Sequence, residues 1–249
     1  MVSGFQAELY RGFHIVRREP LQFLVGTALL VVFFFAYRAG LHFTSSDMEP
    51  LRFVRSATTL YVMWIIISNG LTYAAGEIEK DVNAGVIERI FISGRSLHSI
   101  IFFRSILGIA HTVLTTCVLY LGLWLVTGVG VEFSIELFVG AIITTMVGVG
   151  LGFLAAGLAL HVRPVFAVLM PLQLLLLFML SVPLMLPDGS VKQILSLALP
   201  AGPLAMAPGG IHAGTLPAAV ANAAGYLAIG WLAFHRLEQR ARLCGNMGR

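Results

Sequence analysis

Six stretches of this chain are long, apolar and almost free of charge: about Leu21–Tyr37, Ser56–Ala75, Ser105–Val126, Ile135–Leu160, Val165–Leu186 and Pro217–Phe234. Roughly twenty apolar residues in a helix reach across the hydrocarbon of a bilayer. A helix also closes its backbone hydrogen bonds within itself, which a lipid environment demands. The short alternating segments of a transmembrane barrel are absent. These runs therefore predict an all-α, polytopic membrane protein with about six transmembrane helices in one transmembrane domain spanning residues 1–249. Composition agrees, since 58% of residues are hydrophobic and 11% are charged, against about 25% charged in soluble domains. Mean hydropathy is +0.89.

Net charge is +4, yet no run of five basic residues occurs, so nucleic acid is not an expected partner. Topology explains the positive balance better. With both termini inside, Arg11, Arg17, Arg18, Lys80, Arg89, Arg95, Arg104, Arg163, Arg236, Arg240, Arg242 and Arg249 make twelve cytoplasmic positives, and Arg38, Arg52, Arg55 and Lys192 make four outside. Cytoplasmic loops carry such an excess. The expected location is an inner or plasma membrane, multi-pass, with both termini cytoplasmic and membrane lipids all around.

Residues 1–20 lack the short apolar core of a signal peptide. Phe5, Leu9, Phe13 and Val16 share a face there, which predicts an amphipathic interfacial helix. Arg38, His42, Asp47, Glu49, Arg52 and Arg55 are expected in an external connection. The second span is polar for its kind, and Thr58, Tyr61, Ser68, Asn69 and Thr72 are candidates to line a pathway or gate. Hydrogen bonding between helices explains them equally well. In the fourth span, Gly148, Gly152 and Ala156 recur every four residues, which suits close packing of another helix. Residues 187–216, rich in Pro and Gly, contain apolar pieces too short to cross, and read as an external re-entrant segment. Cys117 and Cys244 are expected in different environments, with no disulfide. A lone His111 in the third span points to a helix–helix hydrogen bond rather than a metal.

The charged island Gly76–Arg104 interrupts this pattern and holds eight of the 28 charged residues. Ile78, Val82, Val86, Ile90 and Phe91 recur about every four residues, as on one side of a helix. Gly85 breaks the helix, and Ser93-Gly94 stops a second one before Ser96 caps the next. The island reads as helix end, turn, short helix, turn, helix start, with residues 77–97 as a cytoplasmic loop.

At Glu77, Glu79 and Asp81, then Gly85, Glu88, Ile90-Phe91 and Ser93-Gly94, the sequence resembles the permease subunits of type 2 ATP-binding-cassette (ABC) exporters. In that family an acidic cluster after the second span leads through a glycine and a glutamate to a hydrophobic pair and a small polar turn. Val86 and Gly94 depart from the threonine and proline usual there. The resemblance implies a coupling helix in which Gly85, Ile87, Glu88, Arg89, Phe91 and Ser93 contact separate ABC ATPase subunits. It also implies a second permease copy, identical or related, an elbow helix at residues 1–20, and short external helices before the last span.

No G-x-x-x-x-G-K-[ST] loop is present, so ATP and Mg belong to the partner ATPase and this chain is expected to bind no cofactor. No catalytic or metal site is expected either. The polar second span motivates a second reading, an ATPase-independent secondary transporter or channel, against which stands the lack of an acidic residue in the middle of any span. A membrane-embedded enzyme is the third, with no nucleophile and base at a recognisable spacing.

Overall fold

The computed structural model describes residues 20–44, 50–92, 97–127, 135–185, 189–205 and 214–244. They form helices and no strand: α1 (Pro20–Thr44), α2 (Pro50–Asn83), α3 (Val86–Ile92), α4 (Leu97–Thr127), α5 (Ile135–Ala159), α6 (Phe166–Met185), α7 (Ser190–Ala198), α8 (Gly202–Ala205) and α9 (Leu216–Cys244). Of the interfacial helix expected over residues 1–20, all but Pro20 lies outside the described residues, as does the turn expected at Ser93-Gly94.

Among the described residues, three stretches are long and apolar enough to cross a membrane: Ser99–Leu119, Phe138–Ala159 and Leu216–Leu243. Val25–Gly40 and Phe166–Val182 are apolar but shorter. The polar α2 is in neither group. Its surroundings account for this, because Leu60, Tyr61, Ile65, Ile67 and Leu71 are buried and the helix meets protein on most sides. A helix so enclosed is solvated by its neighbours and needs no lipid-facing apolar coat.

α2 is the centre of the bundle, packing on α5 above all and also on α4, α6, α1 and α3, while α9 covers another side of α5. Glycines set the closest of these approaches. A Cβ on Gly70 would lie 2.6 Å from the backbone carbon of Gly148, and one on Gly152 would overlap the carbonyl oxygen of Gly70. On the flank toward α9, a Cβ on Gly150 would lie 2.5 Å from the Tyr226 carbonyl oxygen, and one on Gly230 would overlap that of Gly150. Residue numbers rise together across both contacts, so α2, α5 and α9 run parallel, backbone against backbone. Dispersion and weak Cα–H contacts replace the side chains that would have kept them apart. Ala156 is fully buried in the same helix.

Against this trio α4 and α6 run antiparallel. Tyr73 lies against Gly108 and Asp81 against Arg104; Trp64 lies against Gln173 and Gly76 against the Phe166 ring. α1 joins α6 through the Tyr37 and Ser181 hydroxyls, 2.8 Å apart.

Several element boundaries differ from expectation. α1 runs to Thr44 and α2 starts at Pro50, so Arg38, His42, Arg52 and Arg55 ride on helices rather than in a connection. α4 begins at Leu97, directly after the cap expected at Ser96 and two turns before the membrane span expected from Ser105; Leu97 and Ile101, one turn apart, are both fully buried. Residues 77–83, the expected helix end of the cytoplasmic segment 77–97, continue α2 to Asn83. α9 continues ten residues past Phe234, carried by the Glu238–Arg242 pair at 2.6 Å and a His235–Gln239 hydrogen bond at 2.9 Å. Such i,i+4 pairs sustain an exposed helix end.

The segment before α9 contains two short helices. Asn222 fastens them: its amide donates to the Leu197 and Leu199 carbonyls at 2.8 and 3.1 Å, and its oxygen accepts from the Ala201 N–H at 3.2 Å. The Tyr226 hydroxyl donates to the Ala198 carbonyl at 2.6 Å. α8 is buried throughout.

Candidate functional site at the end of α2

Glu77, Glu79 and Asp81 occupy the last two turns of α2, and each has a different partner. Glu77 and Asp81, one turn apart, point into the protein and are buried. Asp81 Oδ2 lies 2.6 Å from Arg104 Nη1 of α4, with only 6% and 5% of the two side chains exposed. Desolvating both charges is costly, and the contact offsets this as an ion pair, since Asp81 Oδ2 and Arg104 Nη1 meet without hydrogen-bond geometry. Glu77 pairs with Lys80 at 2.9 Å, an i,i+3 bridge whose lysine is mostly in solvent and which therefore contributes little. Glu79 Oε1 accepts from the Val165 N–H at 3.3 Å, satisfying a free amide at the start of α6. The acidic cluster is thus a junction of α2, α4 and α6 rather than a solvated charge patch.

After this junction the chain turns sharply. Ala84 N–H donates to the Lys80 carbonyl at 2.9 Å and Gly85 N–H to that of Val82 at 3.1 Å, and Gly85 takes a φ of 65°. That left-handed conformation costs any residue with a Cβ, which accounts for glycine here. α3 follows and is anchored through Ile87, which is buried in the same apolar core as Ile78, Val82, Leu97, Ile101 and Val165. Val86 and Ile90 are half-buried, while Asn83, Ala84, Gly85 and Arg89 are exposed. Glu88 and Phe91 lie in α3, and Ser93 lies outside the described residues.

The same end of the bundle gathers other cations. His161 Nε2 lies 3.1 Å from the Leu237 carbonyl oxygen, which brings the α5–α6 turn beside the far end of α9. Arg163, Arg236 and Arg240 are exposed there. Sequence reasoning marked Arg104 as the end of the island and did not see its pairing. An arginine entering an apolar run shortly after an acidic helix end was the available signal.

The candidate pathway residues of α2 are mostly packed. Thr58 and Ser68 are buried, and Asn69 and Thr72 are half-buried. Tyr61 is fully buried and donates to the Leu30 carbonyl at 2.6 Å, among the rings of Phe33, Phe34, Tyr37 and Trp64. Trp64 Nε1 donates to the Gln173 carbonyl at 2.7 Å, Gln173 returns a hydrogen bond to the Ser68 carbonyl at 3.3 Å, and Thr72 donates to that carbonyl at 2.8 Å. This face is sealed against α1 and α6. Ser68 Oγ and Asn69 Nδ2 are nonetheless buried without a hydrogen-bond partner, a costly state for polar groups.

On the opposite flank, Gly70, Tyr73, Ser105, Gly108, Thr112 and Thr145 line a crevice of about 10 Å³ between α2, α4 and α5. That is room for one water at most. Among the described residues no group of three His, Cys, Asp or Glu side chains gathers to hold a metal.

Comparison with protein-family models, with curated proteins and with solved structures finds no match to this chain.

Proposed function

We propose that the chain is the transmembrane permease subunit of a type 2 ABC exporter, a six-span protein with both termini in the cytoplasm, driven by a separate ATPase. The observation that carries the reading is α3, a seven-residue helix set off by Gly85 at the end of a 34-residue helix. Its inner side is anchored by Ile87 and its outer edge presents Arg89. At about 1.5 Å per residue α2 is roughly 50 Å long, more than the hydrocarbon thickness, so its last turns and α3 stand clear of the bilayer.

In this mechanism ATP-driven closure of two ATPase subunits pushes on the segment from Gly85 to Ser93. The Asp81–Arg104 pair makes α2 and α4 move together, and the glycine contacts pass that motion from α2 to α5. The pathway forms between two permease copies, identical or related. Ser68 Oγ and Asn69 Nδ2, buried without a hydrogen-bond partner in the packed chain, would reach a polar part of the substrate only once α2 parts from its neighbours.

The polar character of α2 also favours a second reading, an ATPase-independent transporter or channel. Co-purification with the ATPase encoded beside this chain separates the two. The wild-type protein is expected to hold the ATPase, and a Glu88→Ala, Arg89→Ala double variant to release it. A wild-type protein that purifies alone, with transport indifferent to the double change, sinks the permease reading.

A further inference from the structure

One face of α9 changes character along its length. Ile229 and Leu232, 60% and 57% exposed, give way to Arg236 and Arg240, and then to Leu243, 86% exposed. At 100° per residue these five positions fall within about 80° of one another. They form one stripe, opposite the side that packs on α5 through Gly230 and Phe234. Arg236 and Arg240 are one turn apart and exposed, and neither has a side-chain partner among the described residues. Arg242, on another side of the helix, is held by Glu238.

We propose that this stripe binds an anionic phospholipid of the cytoplasmic leaflet, its acyl chain along Ile229 and Leu232 and its phosphate between Arg236 and Arg240. The assignment rests on α9 crossing the membrane with its C-terminal end in the cytoplasm. Charge complementarity selects the occupant. Two unpaired guanidiniums directly below an exposed apolar stretch match a molecule with an apolar tail and a negative head, and guanidinium forks suit phosphate oxygens. An acidic protein surface would match the arginines but not the apolar residues above them. Leu243 beyond them keeps the helix end at the interface, where headgroups lie.

The test places a fluorophore on an Ala228→Cys variant, with Cys117 and Cys244 replaced, in nanodiscs of phosphatidylcholine. Quenching by spin-labelled phosphatidylglycerol is compared with quenching by spin-labelled phosphatidylcholine. Each arginine near an anionic headgroup contributes roughly a 5-fold preference, so the pair is expected to favour phosphatidylglycerol by about 25-fold at most. Arg236→Gln with Arg240→Gln should bring the two lipids to parity, and the corresponding double lysine variant should keep most of the preference. Equal quenching in the unmodified stripe, or a preference that survives the glutamine changes, overturns the proposal. So does loss of ATPase binding in the glutamine variant with lipid preference intact. If the wild-type chain holds no ATPase, the permease reading fails while the lipid result stands by itself.

Discussion

Replacing Arg104 by glutamine should be among the most damaging single changes in this protein. Asp81 Oδ2 sits 2.6 Å from Arg104 Nη1 with both side chains about 95% hidden, so the change leaves a buried carboxylate without its guanidinium. Removing one partner of a buried ion pair costs about 3–5 kcal/mol. Removing both charges, in an Asp81→Asn, Arg104→Gln double variant, leaves two neutral amide groups that can bond to each other. Its loss of stability should be smaller than the sum of the two single losses by about 2 kcal/mol or more. Both residues have further interactions, so the double-mutant cycle and not either single value isolates the pair. Reversible unfolding in mixed micelles, followed by tryptophan fluorescence, supplies the four free energies. A single-variant loss below about 1 kcal/mol, or strict additivity, would refute the claim that these charges hold α2 to α4.

Other perturbations test the remaining contacts. Gly152→Val must push α2 away from α5, because its side chain has only the Gly70 carbonyl to occupy; a loss of about 3 kcal/mol or more in the same unfolding assay is expected. Gly85→Ala meets no neighbour within 4 Å, so its cost, about 1–2 kcal/mol, is backbone strain alone, and Gly85→Asn should cost less. Asn222→Ala removes three hydrogen bonds to the chain around α7 and α8 at about 1 kcal/mol each. Hydrogen exchange should rise over residues 190–205 while the contact of α5 with α9 stays protected. Trp64→Phe keeps the ring packing and loses the bond to the Gln173 carbonyl, for a decrease of about 1 kcal/mol measured by unfolding.

Much of the site was open to sequence reasoning because its signals are local. Gly85 marks a turn through its own backbone freedom, and the four-residue spacing of Ile78, Val82, Val86 and Ile90 marks a helix side without reference to any neighbour. The contacts of the acidic helix end were not open in this way. Glu77, Glu79 and Asp81 look solvated until Lys80, Val165 and Arg104 are seen to answer them. Gly148 and Gly152 stood out because Ala156 extends their spacing to three positions, while Gly70, followed four residues on only by Ala74, and Gly230 did not.

Apolar run length and charge placement, by themselves, determined that this chain is a helical protein with membrane-length segments, broken by one charged island with a short helix inside it. Those properties follow from backbone hydrogen bonding and transfer free energy, which act residue by residue. Only the tertiary structure decided that α2 is the hub, that α2, α5 and α9 meet backbone to backbone, and that Asp81 is neutralised by Arg104. Each of those is a relation between residues distant in sequence, and its energy depends on separation and burial, which exist only once the helices have packed.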